Sequence, residues 1–365
     1  MKIWGLLSDT HKDKMKALPY IIKQFKERGV TQIFHMGDIE PEHIKPELFG
    51  GIPVICAVVD TQVGKEDYKE PPEGWQFTFP GKRIVDCDPK VYAGHKRPFE
   101  FLLKAEDDFN ATLQELRHDA DGLRWLFGGH THFQTYKQGK LVNFVNPGAV
   151  EDSLNWGYEY AIVYPDLDQV VFSRILPVTP QEETFTIAVI SDSLNVSRLD
   201  PMFWARLRDE FNQRAVRAII HCGNISLNDV GRPELSEFEV FFNLRIDQLA
   251  GFKSAPDNWH KINNQSPIID YRGYHFYVQL DLGLDFLKQS EYAMDKFSME
   301  IRRKYPETSF VLCGFTNEAL YVEGQQVRII NPGCVLPDHN FATICVPRFE
   351  ITFGHVPVDP LPSLG

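Results

Sequence analysis

The chain has 365 residues, of which 43% are hydrophobic and 24% are charged, and this composition is typical of a globular protein with room for two domains. The formal net charge of −12 argues against nucleic acid or an anionic membrane as a main partner, although a local basic pocket could still bind phosphate. No apolar run approaches the length of a membrane span, and the first residues lack the pattern of a signal peptide. The six cysteines show no CxxC spacing, so we expect reduced structural thiols and a cytoplasmic location.

Acidic and histidine side chains follow the first predicted strand. The apolar run from Ile3 to Leu7 predicts a strand that leads into Ser8-Asp9-Thr10-His11. Because alternate residues of an extended chain point to the same side, Asp9 and His11 can both reach one metal ion. An amphipathic helix that ends near Gly29 is expected next. Its apolar face comprises Met15, Leu18, Ile21, Ile22 and Phe25.

Two later motifs supply similar donor atoms. A second apolar strand leads into His35-Met36-Gly37-Asp38, whose glycine allows a close backbone turn. Residues 128–132 read Gly-Gly-His-Thr-His and place His130 and His132 two positions apart. Imidazole and carboxylate donors suit Mn²⁺, Fe²⁺ or Zn²⁺. The candidate metal ligands are therefore Asp9, His11, Asp38, His130 and His132.

The pattern recurs about 185 residues later in the chain. The run from Ile187 to Ile190 leads into Ser191-Asp192-Ser193-Leu194, and His221-Cys222-Gly223-Asn224 corresponds to the earlier His-Met-Gly-Asp motif. Each half also contains an Asn-Pro-Gly turn. We therefore predict a tandem duplication. The predicted domains are 1–178 and 184–356, followed by a Pro-rich tail at 357–365.

Further elements of the two halves also correspond. Strands are expected from Val54 to Asp60 and from Val240 to Asp247, and a helix is expected from Met202 to Ala215. Strands outnumber helices and end in polar loops. This pattern favours an α/β fold with two packed sheets and flanking helices.

The motifs of the first half, which end in Asn146-Pro147-Gly148, resemble those of the calcineurin-like metallophosphoesterase superfamily. Its small bacterial and archaeal phosphodiesterases are the most similar branch. The resemblance implies a four-layer αββα sandwich, present here as two tandem copies. It implies one metal held by Asp9, His11, Asp38 and His132. It also implies a second metal that shares Asp38 and uses His130, since a metal pair can activate water for in-line phosphoryl displacement.

The first copy departs from the family at two metal-binding positions. Val58 occupies the place of an asparagine ligand and Ala93 that of a histidine ligand, and neither side chain has a donor atom. The first metal site is therefore complete, whereas the second is doubtful. His95 could substitute as a ligand, donate a proton, or be a polar residue at the rim. Asp60, which we match to Asp247 in the second copy, is expected to have a structural hydrogen-bonding role.

The second copy has lost its expected metal ligands. Leu194, Asn224, Phe315 and Asn317 stand at ligand positions, and Asp192 alone remains. We expect no catalysis there, and we expect Leu194 and Phe315 to fill the space of the ligands and ions. The second copy would stabilise the first or bind a protein partner. Two aromatic segments, 238–242 and 271–277, are candidates either for such a surface or for core strands.

The leading hypothesis is a metal-dependent phosphoesterase, more specifically a phosphodiesterase, that uses metal-activated water in the first copy. Its catalytic residues would be Asp38, His95 and His130, and its cofactor a divalent Mn, Fe or Zn ion. A phosphate ester is the expected substrate, without nucleic acid or membrane as partner. The alternative is a metal-binding pseudoenzyme that acts as a protein-interaction scaffold. A nuclease is disfavoured because the chain is acidic.

Overall fold

The structure of the protein is a computed structural model. It describes residues 1–10, 15–80, 83–95, 121–150, 157–176, 183–263, 265–279, 291–314, 318–324, 327–336 and 338–357. Strands dominate these residues, as the sequence predicts. The predicted α/β fold is confirmed.

The strands of the first half are β1 Trp4–Leu7, β2 Gln32–His35, β3 Val54–Ala57, β4 Trp75–Thr78, β5 Ile84–Val85, β6 Lys90–Ala93, β7 Leu123–Phe127, β8 Gln134–Lys137, β9 Asn143–Pro147, β10 Tyr158–Tyr164 and β11 Gln169–Ile175. Those of the second half are β12 Phe185–Ile190, β13 Val216–His221, β14 Glu239–Phe242, β15 Trp259–Lys261, β16 Ile268–Tyr271, β17 Tyr274–Gln279, β18 Thr308–Cys313, β19 Leu320–Glu323, β20 Arg328–Asn331, β21 Asn340–Val346 and β22 Glu350–His355. The helices are α1 Leu18–Glu27, α2 Val196–Leu199, α3 Phe203–Gln213, α4 Ile246–Leu249 and α5 Glu291–Lys304.

These strands form two sheets, and each sheet contains strands of both halves. The larger sheet has the order β15-β14-β13-β12-β21-β22-β11-β10-β1-β2-β3-β4. The smaller sheet has the order β16-β17-β18-β20-β19-β8-β9-β7-β6-β5. The halves meet where β11 pairs with β22 and where β8 pairs with β19, both antiparallel. The strand order of one half mirrors that of the other about these two seams, which is the arrangement that a duplication would produce.

The two sheets pack face to face around one apolar core. Trp4 of the larger sheet meets Phe127 of the smaller sheet edge to face, with ring centroids 6.0 Å apart. The core continues through both halves and includes Phe276 and Tyr321 of the second half. Burial of such aromatic side chains is a main source of stability in a fold of this kind.

Helices cover the outer faces of the sheets. Four of the five residues predicted for the apolar face of α1 are buried against the larger sheet, namely Leu18, Ile21, Ile22 and Phe25, whereas Met15 precedes the helix. Helix α3 covers the corresponding part of the second half, and α5 packs through Ile301 on the smaller sheet. The second half therefore shows helix, sheet, sheet and helix layers. No helix among the described residues is both long and apolar enough to cross a membrane.

The described elements correct several expectations. The two strands predicted to reach Asp60 and Asp247 end earlier, at Ala57 and Phe242, because the chain turns into short helices after them. The helix predicted from Met202 to Ala215 is confirmed over most of its length as α3. All six cysteines are free.

The aromatic segments of the second half contribute mainly to the core. Phe238, Phe242 and Phe276 are at most 2% exposed, and Tyr271 is 7% exposed. Alternation along β14 and β17 buries one side of each strand, as is usual for a strand that packs against a second layer. These residues therefore favour the core-strand alternative, and a partner-binding surface that uses the half-buried Phe241, Tyr274 and Tyr277 stays a prediction.

Candidate metal centre

Four loops converge where strands of the two sheets end. Asp9 follows β1 and Asp38 follows β2, and these neighbouring strands run parallel. His95 follows β6, whereas His132 follows β7, and these strands are also parallel neighbours. Because the carboxyl ends of parallel strands share one edge of a sheet, the topology brings distant residues together.

Asp9 is the buried centre of this site. It is 1% exposed. Its Oδ2 atom accepts hydrogen bonds from the Ser8 hydroxyl and from the His130 backbone N–H, the latter at 3.1 Å. Its Oδ1 atom is buried and accepts no hydrogen bond of good geometry from the described residues. A buried carboxylate oxygen without a donor is costly, so this atom faces a position suited to a cation.

Imidazole and carboxylate groups surround Asp9 Oδ1. The Nε2 atoms of His132 and His95 lie 3.4 Å and 3.8 Å from it. Ligand atoms of Asp9, Asp38 and His95 all lie within 4.8 Å of one another. Bonds of about 2.1 Å place neighbouring ligand atoms of one ion about 3–3.5 Å apart. The His132–Asp9 separation matches this range, and the His95–Asp9 separation slightly exceeds it. The donor set and the orphaned oxygen therefore fit a divalent metal.

Electrostatics favour the ionised form of Asp9. Burial opposes ionisation, but the neighbouring His132 and His95 and the Ser8 hydroxyl outweigh it and lower the pKa of Asp9 to about 2. The carboxylate is thus negative at neutral pH, as a metal ligand must be.

The loops of the candidate site use strained backbone geometry. Asp9 and Asp38 both have φ of 55°, His130 has φ of 77° and His132 has φ of 61°. Residues other than glycine rarely adopt this left-handed region, and strain of this kind is concentrated at functional sites. At two positions, glycine allows neighbouring atoms to approach more closely than any side chain would permit. A Cβ on Gly129 would lie 2.0 Å from Ser8 Oγ, and one on Gly37 would lie 2.6 Å from the Ala57 carbonyl oxygen.

A buried histidine supports the Asp38 loop from behind. His35 is fully buried, and its Nδ1 accepts a hydrogen bond from the Gly37 N–H at 3.2 Å. Its Nε2 therefore carries the proton and donates to Thr10 Oγ1 at 2.9 Å. His221 has the same partners in the second half, with Gly223 and Ser193 in place of Gly37 and Thr10. This support was not predicted from the sequence. The signal that could have revealed it is the recurrence of Thr10 and His35 in the first half as Ser193 and His221 in the second half.

We predict that protonation of these histidines destabilises the fold in acid. Burial lowers the pKa of both His35 and His221 from 6.5 to about 3. A lowered folded-state pKa means that the stabilising contribution is present above pH 6.5 and is lost as the pH falls toward 3. The free energy of unfolding, measured in urea, should depend less on pH in His221→Asn than in the wild type. Between pH 6.5 and 4 the difference in slope should correspond to about one proton fewer taken up on unfolding. The half-exposed His260→Asn is the control, and equal pH slopes for all three proteins would contradict the prediction.

The structure brings most of the predicted site residues together. Asp9, Asp38 and His95 form one cluster, and His132 lies beside Asp9, so His95 lies within the cluster rather than at its rim. His130 is exposed, and its ring centroid lies 5.1 Å from that of His95. The predicted ligand His11 lies outside the described residues.

The two positions without donor atoms are buried. Val58 and Ala93 are 0% exposed and belong to the apolar clusters beside the site. The Arg83 guanidinium donates hydrogen bonds to the carbonyl oxygens of Val58 and Thr78 at 2.9 Å and 3.0 Å. A fixed positive charge therefore lies next to the position of the missing asparagine, and sequence analysis did not foresee it.

A glutamine also shapes this loop, and it corrects the register between the halves. Gln62 accepts a hydrogen bond from the Val59 N–H and donates one to the Ile39 carbonyl oxygen. Gln248 forms the same pair of bonds with the Arg245 N–H and the Ile225 carbonyl oxygen.

Val59 therefore corresponds to Arg245, and Asp60 corresponds to Ile246 rather than to Asp247. Asp60 is exposed, and the structural hydrogen-bonding role expected for it belongs to Gln62.

The second half satisfies its remaining aspartate with protein groups. Asp192 has the backbone geometry of Asp9, with φ of 57°, and its Oδ2 accepts from Ser191 at 2.6 Å. Its Oδ1, however, accepts a hydrogen bond from Asn224 Nδ2 at 3.0 Å. The Asn224 amide thus satisfies the oxygen that corresponds to Asp9 Oδ1, the candidate metal-binding oxygen of the first half. Leu194 is 37% exposed and does not fill the space of the missing ligands, and Phe315 lies outside the described residues.

Comparison with known proteins agrees with this geometry. Residues 1–167 match the family model of the calcineurin-like phosphoesterase superfamily domain. This part of the chain is a calcineurin-like phosphoesterase domain. No curated protein matches the chain.

Three solved structures are similar to about half of this chain. A conserved uncharacterized protein of Streptococcus pneumoniae, described as a predicted phosphoesterase, is 17% identical, with coverage of 48% of this chain and 94% of its own and a TM-score of 0.31. A novel archaeal phosphodiesterase is 17% identical, with coverage of 47% and 99% and a TM-score of 0.35. Vacuolar protein sorting 29 of Cryptosporidium parvum is 11% identical, with coverage of 45% and 86% and a TM-score of 0.34.

Proposed function

We propose that the protein is a metal-dependent phosphodiesterase whose calcineurin-like phosphoesterase domain carries the activity. The observation that supports this most directly is the buried Oδ1 atom of Asp9, which lies near two imidazole Nε2 atoms and accepts no hydrogen bond from the part of the chain that the structure describes. Buried polar atoms are nearly always satisfied, so this cluster is suited to a partner that the described residues do not supply.

The proposed metal ligands are Asp9, His11, Asp38 and His132, and His130 would contact a weaker second ion. We propose Mn²⁺, Fe²⁺ or Zn²⁺, since all three accept nitrogen and carboxylate donors. When bound, such an ion polarises a phosphoryl group and promotes the ionisation of water at neutral pH.

The chain itself would orient the substrate and handle protons. His130 is exposed beside the cluster, so its imidazole can reach a phosphate oxygen or a leaving group that enters from solvent. His95 lies behind it and fixes its ring through the edge-to-face contact. Ser8 and the His130 backbone N–H hold the Asp9 carboxylate in one orientation. Burial of Asp9 keeps bulk water from competing for its oxygens.

We further propose that the second half is a non-catalytic copy of the first. The amide of Asn224 donates a hydrogen bond to Asp192 Oδ1, so this oxygen already has a partner and does not need a cation. A protein partner for this copy, and a cytoplasmic location for the whole chain, stay predictions.

One observation favours a second candidate function, a metal-binding pseudoenzyme that acts as a scaffold. Val58 and Ala93 replace two ligands by buried apolar side chains, so two-metal chemistry would lack half of one ligand set. In this case the ion would stabilise the loops without turnover.

Hydrolysis of bis(p-nitrophenyl) phosphate tests the proposal. We expect Mn²⁺-dependent turnover that chelation abolishes and that His132→Ala lowers by about 100-fold, because a lost ligand weakens metal binding at least as much as a lost supporting contact does. His260→Ala, on an edge strand of the second half, should retain the wild-type rate. Metal binding without turnover of aryl phosphodiesters or monoesters would favour the scaffold instead.

A further inference from the structure

His95 lies in the position of a metal ligand although its expected role was open. It is 8% exposed, and its Nε2 lies 3.8 Å from Asp9 Oδ1. The residue comes to this place because Gly37 lacks a side chain. A Cβ on Gly37 would lie 3.1 Å from the His95 Cβ and 2.6 Å from the Ala57 carbonyl oxygen.

A backbone contact decides which nitrogen of His95 can bind a metal. Nδ1 lies 2.8 Å from the carbonyl oxygen of Met36. A carbonyl oxygen only accepts, so Nδ1 carries a proton and donates it. In the neutral ring, Nε2 then presents a lone pair toward the cluster. Metal-binding histidines are typically oriented in this way, by a hydrogen bond from the opposite ring nitrogen to a carbonyl or carboxylate.

The lone pair of His95 Nε2 and the orphaned oxygen of Asp9 face each other. Two acceptors at this separation repel unless a cation or a proton lies between them. Asp38 contributes a third ligand atom within 4.8 Å, and His132 lies 3.4 Å from the same Asp9 oxygen. Ligand atoms of Asp9, Asp38 and His95 thus lie close to one another, and His132 approaches this cluster beside Asp9 Oδ1.

We infer that His95 is a metal ligand and that it completes a single-ion site with Asp9, Asp38 and His132. The inference rests on the proposed metal site but not on turnover. A histidine two residues beyond Ala93 would then supply a donor atom in place of the one lost there. The site would thus bind one ion tightly, in place of the pair of ions that the family resemblance implies.

Metal titration of two His95 variants tests the inference. In His95→Asn, the side-chain amide can still donate to the Met36 carbonyl oxygen, but no atom occupies the Nε2 position. In His95→Gln, an amide oxygen can occupy that position. Binding of Co²⁺, followed by its visible absorption, should show one tight ion per wild-type chain. His95→Asn should raise the Kd for Co²⁺ by at least about tenfold and change the absorption bands, with a smaller loss in His95→Gln.

Controls separate this result from misfolding and from failure of the enzyme hypothesis. His260→Asn should bind Co²⁺ as the wild type does, and far-ultraviolet circular dichroism should show that each variant is folded. Wild-type Kd and absorption bands in folded His95→Asn, or no Co²⁺ binding by the wild type, would overturn the inference. The Co²⁺ titration uses no substrate, so it is independent of the hydrolysis assay. If Co²⁺ binding depends on His95 but the wild type hydrolyses no phosphodiester, the phosphodiesterase proposal fails and the ligand inference stands.

Discussion

Asp9→Asn is expected to reduce metal-dependent phosphodiester hydrolysis by at least about a thousandfold, equivalent to about 4 kcal/mol of transition-state stabilisation. The substitution removes the negative charge at the centre of the cluster. The asparagine oxygen can keep the hydrogen bonds from Ser8 and from the His130 N–H, and its amide nitrogen can donate to His95 or His132. Metal affinity is therefore lost while the loop conformation is kept.

The second half provides the matched control for this experiment. Asp192→Asn alters a residue with the same backbone geometry and the same serine partner, but one whose Oδ1 already accepts from Asn224. It should leave the hydrolysis rate unchanged. Steady-state rates with bis(p-nitrophenyl) phosphate and saturating Mn²⁺ decide the comparison. Equal losses in both variants would mean that the activity does not depend on the first-half cluster.

Glu323→Gln is expected to destabilise the protein by about 3–5 kcal/mol, since it breaks a buried ionic network between the halves. Arg174 of the first half lies 2.6 Å from Glu323 and 3.2 Å from Glu159, and Arg328 lies 3.1 Å from Glu323. All four side chains are at most 7% exposed. Without Glu323, two buried guanidinium groups would lose the carboxylate that they share.

The protonation states give this prediction a pH dependence. Burial and the adjacent Glu323 raise the pKa of Glu159 well above its usual value, which favours the protonated form of Glu159. Burial opposes the charge of Glu323, but Arg174, Glu159 and Arg328 together lower its pKa to about 2. In Glu323→Gln, ionisation of Glu159 can compensate partly at neutral pH. The loss of stability should therefore be greater at pH 5 than at pH 8.

Urea unfolding at these two pH values measures the effect. Glu66→Gln is the control, because this glutamate is 83% exposed and its ion pair with Lys69 should contribute little. A change of less than 1 kcal/mol in Glu323→Gln, or no difference between the two pH values, would contradict the proposed network.

The sequence alone determined the metal-binding motifs and the elements that carry them. Apolar runs before Asp9 and Asp38 predicted β1 and β2, and helical spacing predicted the buried face of α1. These signals are local, because each strand or helix must bury one side and expose polar groups at its end. The resemblance to phosphoesterases followed from the same residues. Val58 and Ala93 also showed from the sequence that two donors were missing.

Only the tertiary structure decided what replaces those donors. His95 lies 86 residues after Asp9 in the chain, and no spacing rule relates the two. Their contact arises because β1 and β6 belong to different sheets whose carboxyl ends meet at one edge. The hydrogen bond from His95 to the Met36 carbonyl oxygen likewise depends on packing between loops. Side-chain orientation at such a junction is set by long-range contacts, which local sequence patterns do not encode.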